Sequence, residues 1–136
     1  MTYTVLTIED QADIRRLIRM TLEFQDINVL EASNGPDGLQ LARSARPDLI
    51  LLDMMMPGMN GLAVGRELQA DAALSQVPVV MLSAMGAPHD FQAGKASGVA
   101  DYLVKPFSPR HLLDVVGRLI EDSRQAGTTS VTNPGD

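Results

Sequence analysis

The chain has 136 residues, with 11 basic against 17 acidic side chains and a net charge of −6, a length that suits one domain with a real core. No window is rich in lysine or arginine, which argues against direct nucleic-acid binding by this chain. Zero cysteines exclude disulfides and thiolate metal sites. No basic leader is read at the start, and no apolar run approaches the ~20 residues of a membrane span, so a soluble, cytoplasmic protein without a membrane partner is expected.

The first strand is expected near 3–8 and runs into Glu9–Asp10. After Gln11 comes an amphipathic helix, with Ile14, Leu17, Ile18 and Leu22 on one face and Arg15, Arg16, Arg19 and Glu23 elsewhere. A second strand near 27–32 leads to a cleanly signalled helix start: Asn34 as N-cap, Pro36 in the first turn, then Leu39 and Leu41–Ala42. The third strand, near 48–53, ends on Asp53. The loop Pro57–Gly58–Met59–Asn60–Gly61 then opens a helix over about 61–70.

A fourth strand near 77–82 is followed by Ser83. The helix expected around 88–97 is weakly signalled: Phe91 is its main large apolar residue, and glycines stand at 86, 94 and 98. That composition suits a short, mobile helix. A fifth strand near 100–104 ends at Lys105–Pro106. The last helix is well marked, with Ser108 as cap, Pro109 at its first position, and Leu112, Leu113, Val115, Val116, Leu119 and Ile120 beneath. From Gln125 onward the chain is polar and breaker-rich, so residues 1–124 are expected to form the domain and 125–136 a disordered tail.

Apolar runs alternating with amphipathic stretches describe an α/β protein, a doubly wound five-stranded parallel sheet with five helices. In such sheets ligands bind outside the carboxyl ends of the strands. Glu9, Asp10, Asp53, Ser83 and Lys105 all fall there. Two carboxylates about 4 Å apart repel by ~4 kcal/mol at an effective dielectric near 20. A fold has no structural need for that cost, and a divalent cation together with a lysine would offset it. Both suit phosphate chemistry.

Four segments carry a family resemblance: Ile8–Glu9–Asp10, Leu51 to Gly61, Met81–Leu82–Ser83–Ala84, and Asp101 to Phe107. With these in order, residues 3–122 resemble the receiver domain of two-component response regulators, which implies a flavodoxin-like receiver fold. The resemblance implies that Asp53 takes a phosphoryl group from a phosphohistidine on a histidine kinase or histidine phosphotransfer protein. It also implies that Glu9, Asp10, Asp53 and the main-chain carbonyl of Met55 hold Mg²⁺, hard oxygen ligands being what magnesium prefers. An N-cap-like role at the first helix is the alternative for Glu9.

By the same resemblance Lys105 pairs with one phosphoryl oxygen and the Ser83 hydroxyl with another, both as catalytic groups. A cis Lys105–Pro106 bond is suggested, against a base rate of ~5–6%. Tyr102 is the switch residue that follows Ser83, with an ordinary half-buried strand tyrosine as the alternative. The expected readout surface, toward an unknown downstream target, is the 88–97 helix, the last strand and the last helix. His89 and His111 read as surface residues, and Met54–Met55–Met56 as packing and loop.

The expected function is therefore regulatory: a phosphoacceptor that catalyses its own phosphorylation and dephosphorylation and is not otherwise an enzyme. A Mg²⁺-dependent phosphohydrolase would commonly carry a second acid two residues beyond Asp53, where this chain has Met55. A receiver that signals without phosphate would lack an acidic or lysine position, and none is missing.

Overall fold

Five parallel strands, β1 (Thr4–Ile8), β2 (Asn28–Ala32), β3 (Leu49–Asp53), β4 (Val79–Ser83) and β5 (Asp101–Val104), make one sheet in the order β2-β1-β3-β4-β5. The computed structural model describes residues 2–84 and 99–132, with 124–132 as backbone alone. Among the described residues the helices are α1 (Ala12–Glu23), α2 (Gly35–Ala45), α3 (Gly61–Ala70) and α4 (Pro109–Thr132). The helix expected over 88–97, with Phe91 and His89, lies outside the described residues.

β3 and β4 are buried along their whole length, which explains their unbroken apolar sequence: both faces of a parallel sheet are covered. Alternate residues feed two cores. Leu6, Ile8, Ile50 and Leu52 pack with Leu39, Val64 and Leu68 of α2 and α3. Val5, Leu51, Val80 and Leu82 pack with Ile18 and Leu22 of α1 and with Leu112 and Val116 of α4.

Helix starts follow the expected chemistry. Asn34 Oδ1 accepts from the Asp37 N–H at 2.9 Å and Ser108 Oγ from that of His111 at 3.0 Å. Asn60 Oδ1 does the same for Ala63 at 2.9 Å. Each such cap contributes about 1 kcal/mol.

Three differences from expectation have physical reasons. The β4 ladder begins at Val79 because Pro78 has no N–H to donate; its carbonyl still accepts from Ile50 at 3.0 Å. Leu17, placed on the buried face of α1, is 38% exposed and continues an outward apolar row with Met20 and Phe24. The tail expected from Gln125 differs most, since α4 continues to Thr132. Between 125 and 132 the sequence carries one glycine and no proline, so no backbone donor is lost and the helix propagates.

β1 is flanked by β2 on one side and β3 on the other. The strand order therefore reverses between β1 and β3, which opens a crevice at their carboxyl ends.

Candidate functional site

Register brings the carboxylates together. Ile8 pairs with Leu52 across the β1–β3 ladder, so the next residues, Glu9 and Asp53, leave the sheet side by side. Ser83 pairs with Val104 at the end of the β4–β5 ladder, and the Lys105 N–H donates to the Ser83 carbonyl at 2.7 Å. The Lys105–Pro106 bond is cis, as suggested from the sequence.

Glu9 and Asp53 are buried and Asp10 is exposed, and one oxygen from each lies within 4.8 Å of the others. Lys105 Nζ stands 2.7 Å from Glu9 Oε1 and 3.3 Å from Asp53 Oδ1. It lies close to Glu9 Oε1 but off the line of a directed hydrogen bond, so that buried oxygen has charge compensation without a donor aimed at it.

Burial pushes the Glu9 carboxyl up to about 7, against the pull of Lys105 and the Gln11 N–H, with Asp53 adding to the rise. Burial also raises Asp53, while Glu9, Lys105 and the Met55 N–H hold it back. At Asp10 burial is the largest single influence and acts upward. Hydrogen bonds with the Glu9 and Asp53 carboxyls, its own N–H and the Lys105 charge together outweigh it and leave Asp10 below the ordinary value. Without a cation, burial thus favours a proton on Glu9 and Asp53 more than on free carboxyls, while Asp10 is favoured ionised. A hard divalent cation would replace such a proton and satisfy Glu9 Oε1, so the donor set fits Mg²⁺.

The methionine run divides by position. Met54 and Met56 are buried in the core, whereas Met55 is 73% exposed and its N–H donates to Asp53 Oδ1 at 3.2 Å. Gly61 allows the start of α3 to close onto β3: a Cβ there would lie 2.5 Å from the Asp53 carbonyl oxygen. Its N–H donates to the Met54 carbonyl at 3.0 Å. Ser83 is buried at the end of β4, and Tyr102 is half-buried against the α2–α3 core. His111 is exposed on α4 and takes no part in the site.

Two participants were not read from the sequence. Gln11 donates its N–H to Glu9 Oε2 at 3.1 Å, and its Oε1 accepts from Lys105 Nζ at 3.4 Å. Arg15 Nη1 donates to the Glu9 carbonyl at 2.7 Å. The available signal was spacing: one turn into α1, a long cation reaches back to the acidic pair that precedes the helix.

The family model of the response regulator receiver domain matches residues 5–117. The transcriptional regulatory protein ResD of Bacillus subtilis is 41% identical over 95% of this chain and 51% of its own length. The phosphate regulon transcriptional regulatory protein PhoB of Pseudomonas aeruginosa is 38% identical over 98% of the chain and 54% of its own. The chain thus spans about half the length of these curated relatives. Among solved structures, the chemotaxis response regulator CheY4 of Vibrio cholerae superposes with a TM-score of 0.84 at 33% identity, over 88% of this chain and 99% of that one.

Proposed function

Because the chain belongs to the response regulator receiver domain family of two-component signalling, we propose that Asp53 is its phosphoacceptor. A histidine kinase or histidine phosphotransfer protein in the cytoplasm is the donor. The observation that carries this reading is the meeting of Glu9, Asp10, Asp53 and Lys105 at one sheet edge.

In the transfer, an Asp53 carboxylate oxygen attacks the phosphorus of a phosphohistidine. The P–N bond breaks, a P–O bond forms, and the imidazole leaves with its electron pair. Glu9, Asp10, Asp53 and the Met55 carbonyl would hold Mg²⁺, which supplies positive charge against the phosphoryl oxygens. Lys105, already 3.3 Å from Asp53, takes a second oxygen, and the buried Ser83 hydroxyl donates to a third. The transfer turns a carboxylate of charge −1 into an acyl phosphate of about −2, so this edge gains about one negative charge. Tyr102 then relays the movement of Ser83 to the β5–α4 face, where a downstream target reads it.

An apolar groove of about 420 Å³ beside Lys105, lined by Ile14, Leu17, Pro106 and Phe107, gives a donor helix a surface next to the acceptor. No helix among the described residues is long and apolar enough to cross a membrane.

Acetyl phosphate labelling with and without Mg²⁺, followed by mapping of the adduct, tests the reading. A single metal-dependent label on Asp53 is expected. A label elsewhere, or equal labelling in EDTA, overturns it.

A further inference from the structure

We infer that Arg15 is a positioning residue for the acidic edge: braced by Glu31, it fixes the peptide that carries Glu9 into Asp10 and so sets the Mg²⁺ affinity of that edge. This rests on the metal reading given above.

Glu9 and Asp10 stand beyond the end of β1, where the ladder no longer holds them. Two hydrogen bonds take its place. The Glu9 N–H donates to the Ala32 carbonyl at 3.0 Å, and the Glu9 carbonyl accepts from Arg15 Nη1 at 2.7 Å. The second of these restrains the peptide plane that leads directly into Asp10, an exposed member of the carboxylate set.

Arg15 is itself held. Its Nε donates to Glu31 Oε1 at 3.2 Å, while Arg19 Nε takes Glu31 Oε2. Glu31 stands on β2 opposite Thr7, so the brace is anchored two residues before Glu9 across the ladder. The Arg15 and Glu31 side chains are only 20% and 27% exposed, a more sheltered setting than that of surface ion pairs, which contribute little. A guanidinium can serve both partners at once because its donors are fixed in a planar fork.

Charge and position make opposite predictions. A cation near a cation site lowers its affinity, so if charge ruled, removing Arg15 would tighten Mg²⁺ binding. The Glu31 carboxylate largely neutralises Arg15 over distance, which leaves the positional effect in command. Losing such an outer contact weakens metal binding by 10–100-fold in comparable sites.

The test is calorimetric titration of Mg²⁺ into the whole chain at pH 8, with denaturant midpoints measured alongside. Arg15→Met is expected to raise the Mg²⁺ dissociation constant about tenfold. Arg19→Ala, which leaves Glu9 untouched, should stay within about twofold of wild type. A merely structural Arg15 would lower the midpoint and leave the Mg²⁺ constant alone. Unchanged or tighter binding in Arg15→Met, or equal weakening in Arg19→Ala, overturns the inference. Should Arg15→Met fail to fold, Arg15→Lys, which keeps the charge but loses the planar fork that serves Glu31 and the Glu9 carbonyl together, must weaken Mg²⁺ binding by a smaller factor, and an unchanged constant overturns the inference equally. A wild type that takes up no Mg²⁺ overturns the metal reading itself, whereas wild-type binding with an indifferent Arg15 variant removes only the role of Arg15.

Discussion

The Lys105 ammonium and the Glu9 carboxylate meet at 2.7 Å, nearer than Lys105 comes to Asp53 at 3.3 Å. Before phosphorylation, then, the lysine is chiefly the counter-ion of a fully buried glutamate. Removing one partner of a buried pair leaves an uncompensated charge and costs about 3–5 kcal/mol. Lys105→Met should lose about that much stability at pH 8, where Glu9 is charged, and much less at pH 5.5, where it can take a proton. Urea midpoints at the two pH values check this; equal losses at both would contradict it.

The raised Glu9 carboxyl fixes the sign of a wider pH effect. Its value rises from 4.5 to about 7 on folding, so the folded state binds the proton more tightly than the unfolded one. The resulting stability is fully present below pH 4.5 and is lost as pH climbs through 7. Asp53 shifts in the same direction and Asp10 in the opposite one. Without metal, the chain should therefore lose stability between pH 5.5 and 8 relative to Glu9→Gln. Saturating Mg²⁺ should reduce the loss, because a cation offsets the charge Glu9 takes on as its proton leaves. Denaturation curves for both proteins across that window supply the comparison, and parallel pH profiles would count against a buried, titrating Glu9.

Asp53→Asn removes one negative charge from the cluster while keeping its shape. Two close carboxylates repel by ~4 kcal/mol at an effective dielectric near 20, before Lys105 and solvent reduce the figure. At pH 8 the variant should gain about 1–2 kcal/mol without metal. At saturating Mg²⁺ it should gain less, since a ligand is lost as well. Chemical denaturation showing a loss in metal-free buffer would argue that the three carboxylates do not repel one another.

Met55 bears on how long the phosphorylated state lasts. Hydrolysis needs a water in line with the Asp53–phosphorus bond, held by nearby groups. Met55 is tied to Asp53 through its N–H and carries a side chain 73% exposed. A thioether is a poor hydrogen-bond partner for that water and can crowd its approach. Self-dephosphorylation should therefore be slow, and Met55→Asn should shorten the phosphoryl lifetime several-fold. Decay of purified phosphoprotein within seconds, or an unchanged rate in the variant, would show that Met55 only packs a loop.

Most of this site was legible because its chemistry sits at strand ends, where sequence position translates directly into place. Val5–Ile8 and Leu49–Leu52 are short apolar runs, so the residues that follow, Glu9 and Asp53, could be put at one edge before any register was known. What could not be read were contacts across elements. Arg15 and Glu31 are sixteen positions apart and meet only because α1 lies over the β1–β2 edge. Leu17 belongs to the right helical period but sits where the sheet no longer covers it. The run of α4 past Gln125 was hidden for another reason: small polar residues favour breaks in composition, yet only proline removes the donor a helix needs.

That run has a mechanical consequence. At 1.5 Å per residue, the 24 residues of α4 make a rod about 36 Å long. The five-residue strands beside it span about 17 Å. Ile120 is the last buried residue of α4 among those whose side chains are described, and the twelve residues from Glu121 to Thr132 carry the rod about 18 Å further. A tilt of about 5° near Ser108, close to the phosphoryl chemistry at Lys105, would sweep the far end by about 3 Å. A displacement too small to reorder the core would thus be multiplied at Thr132.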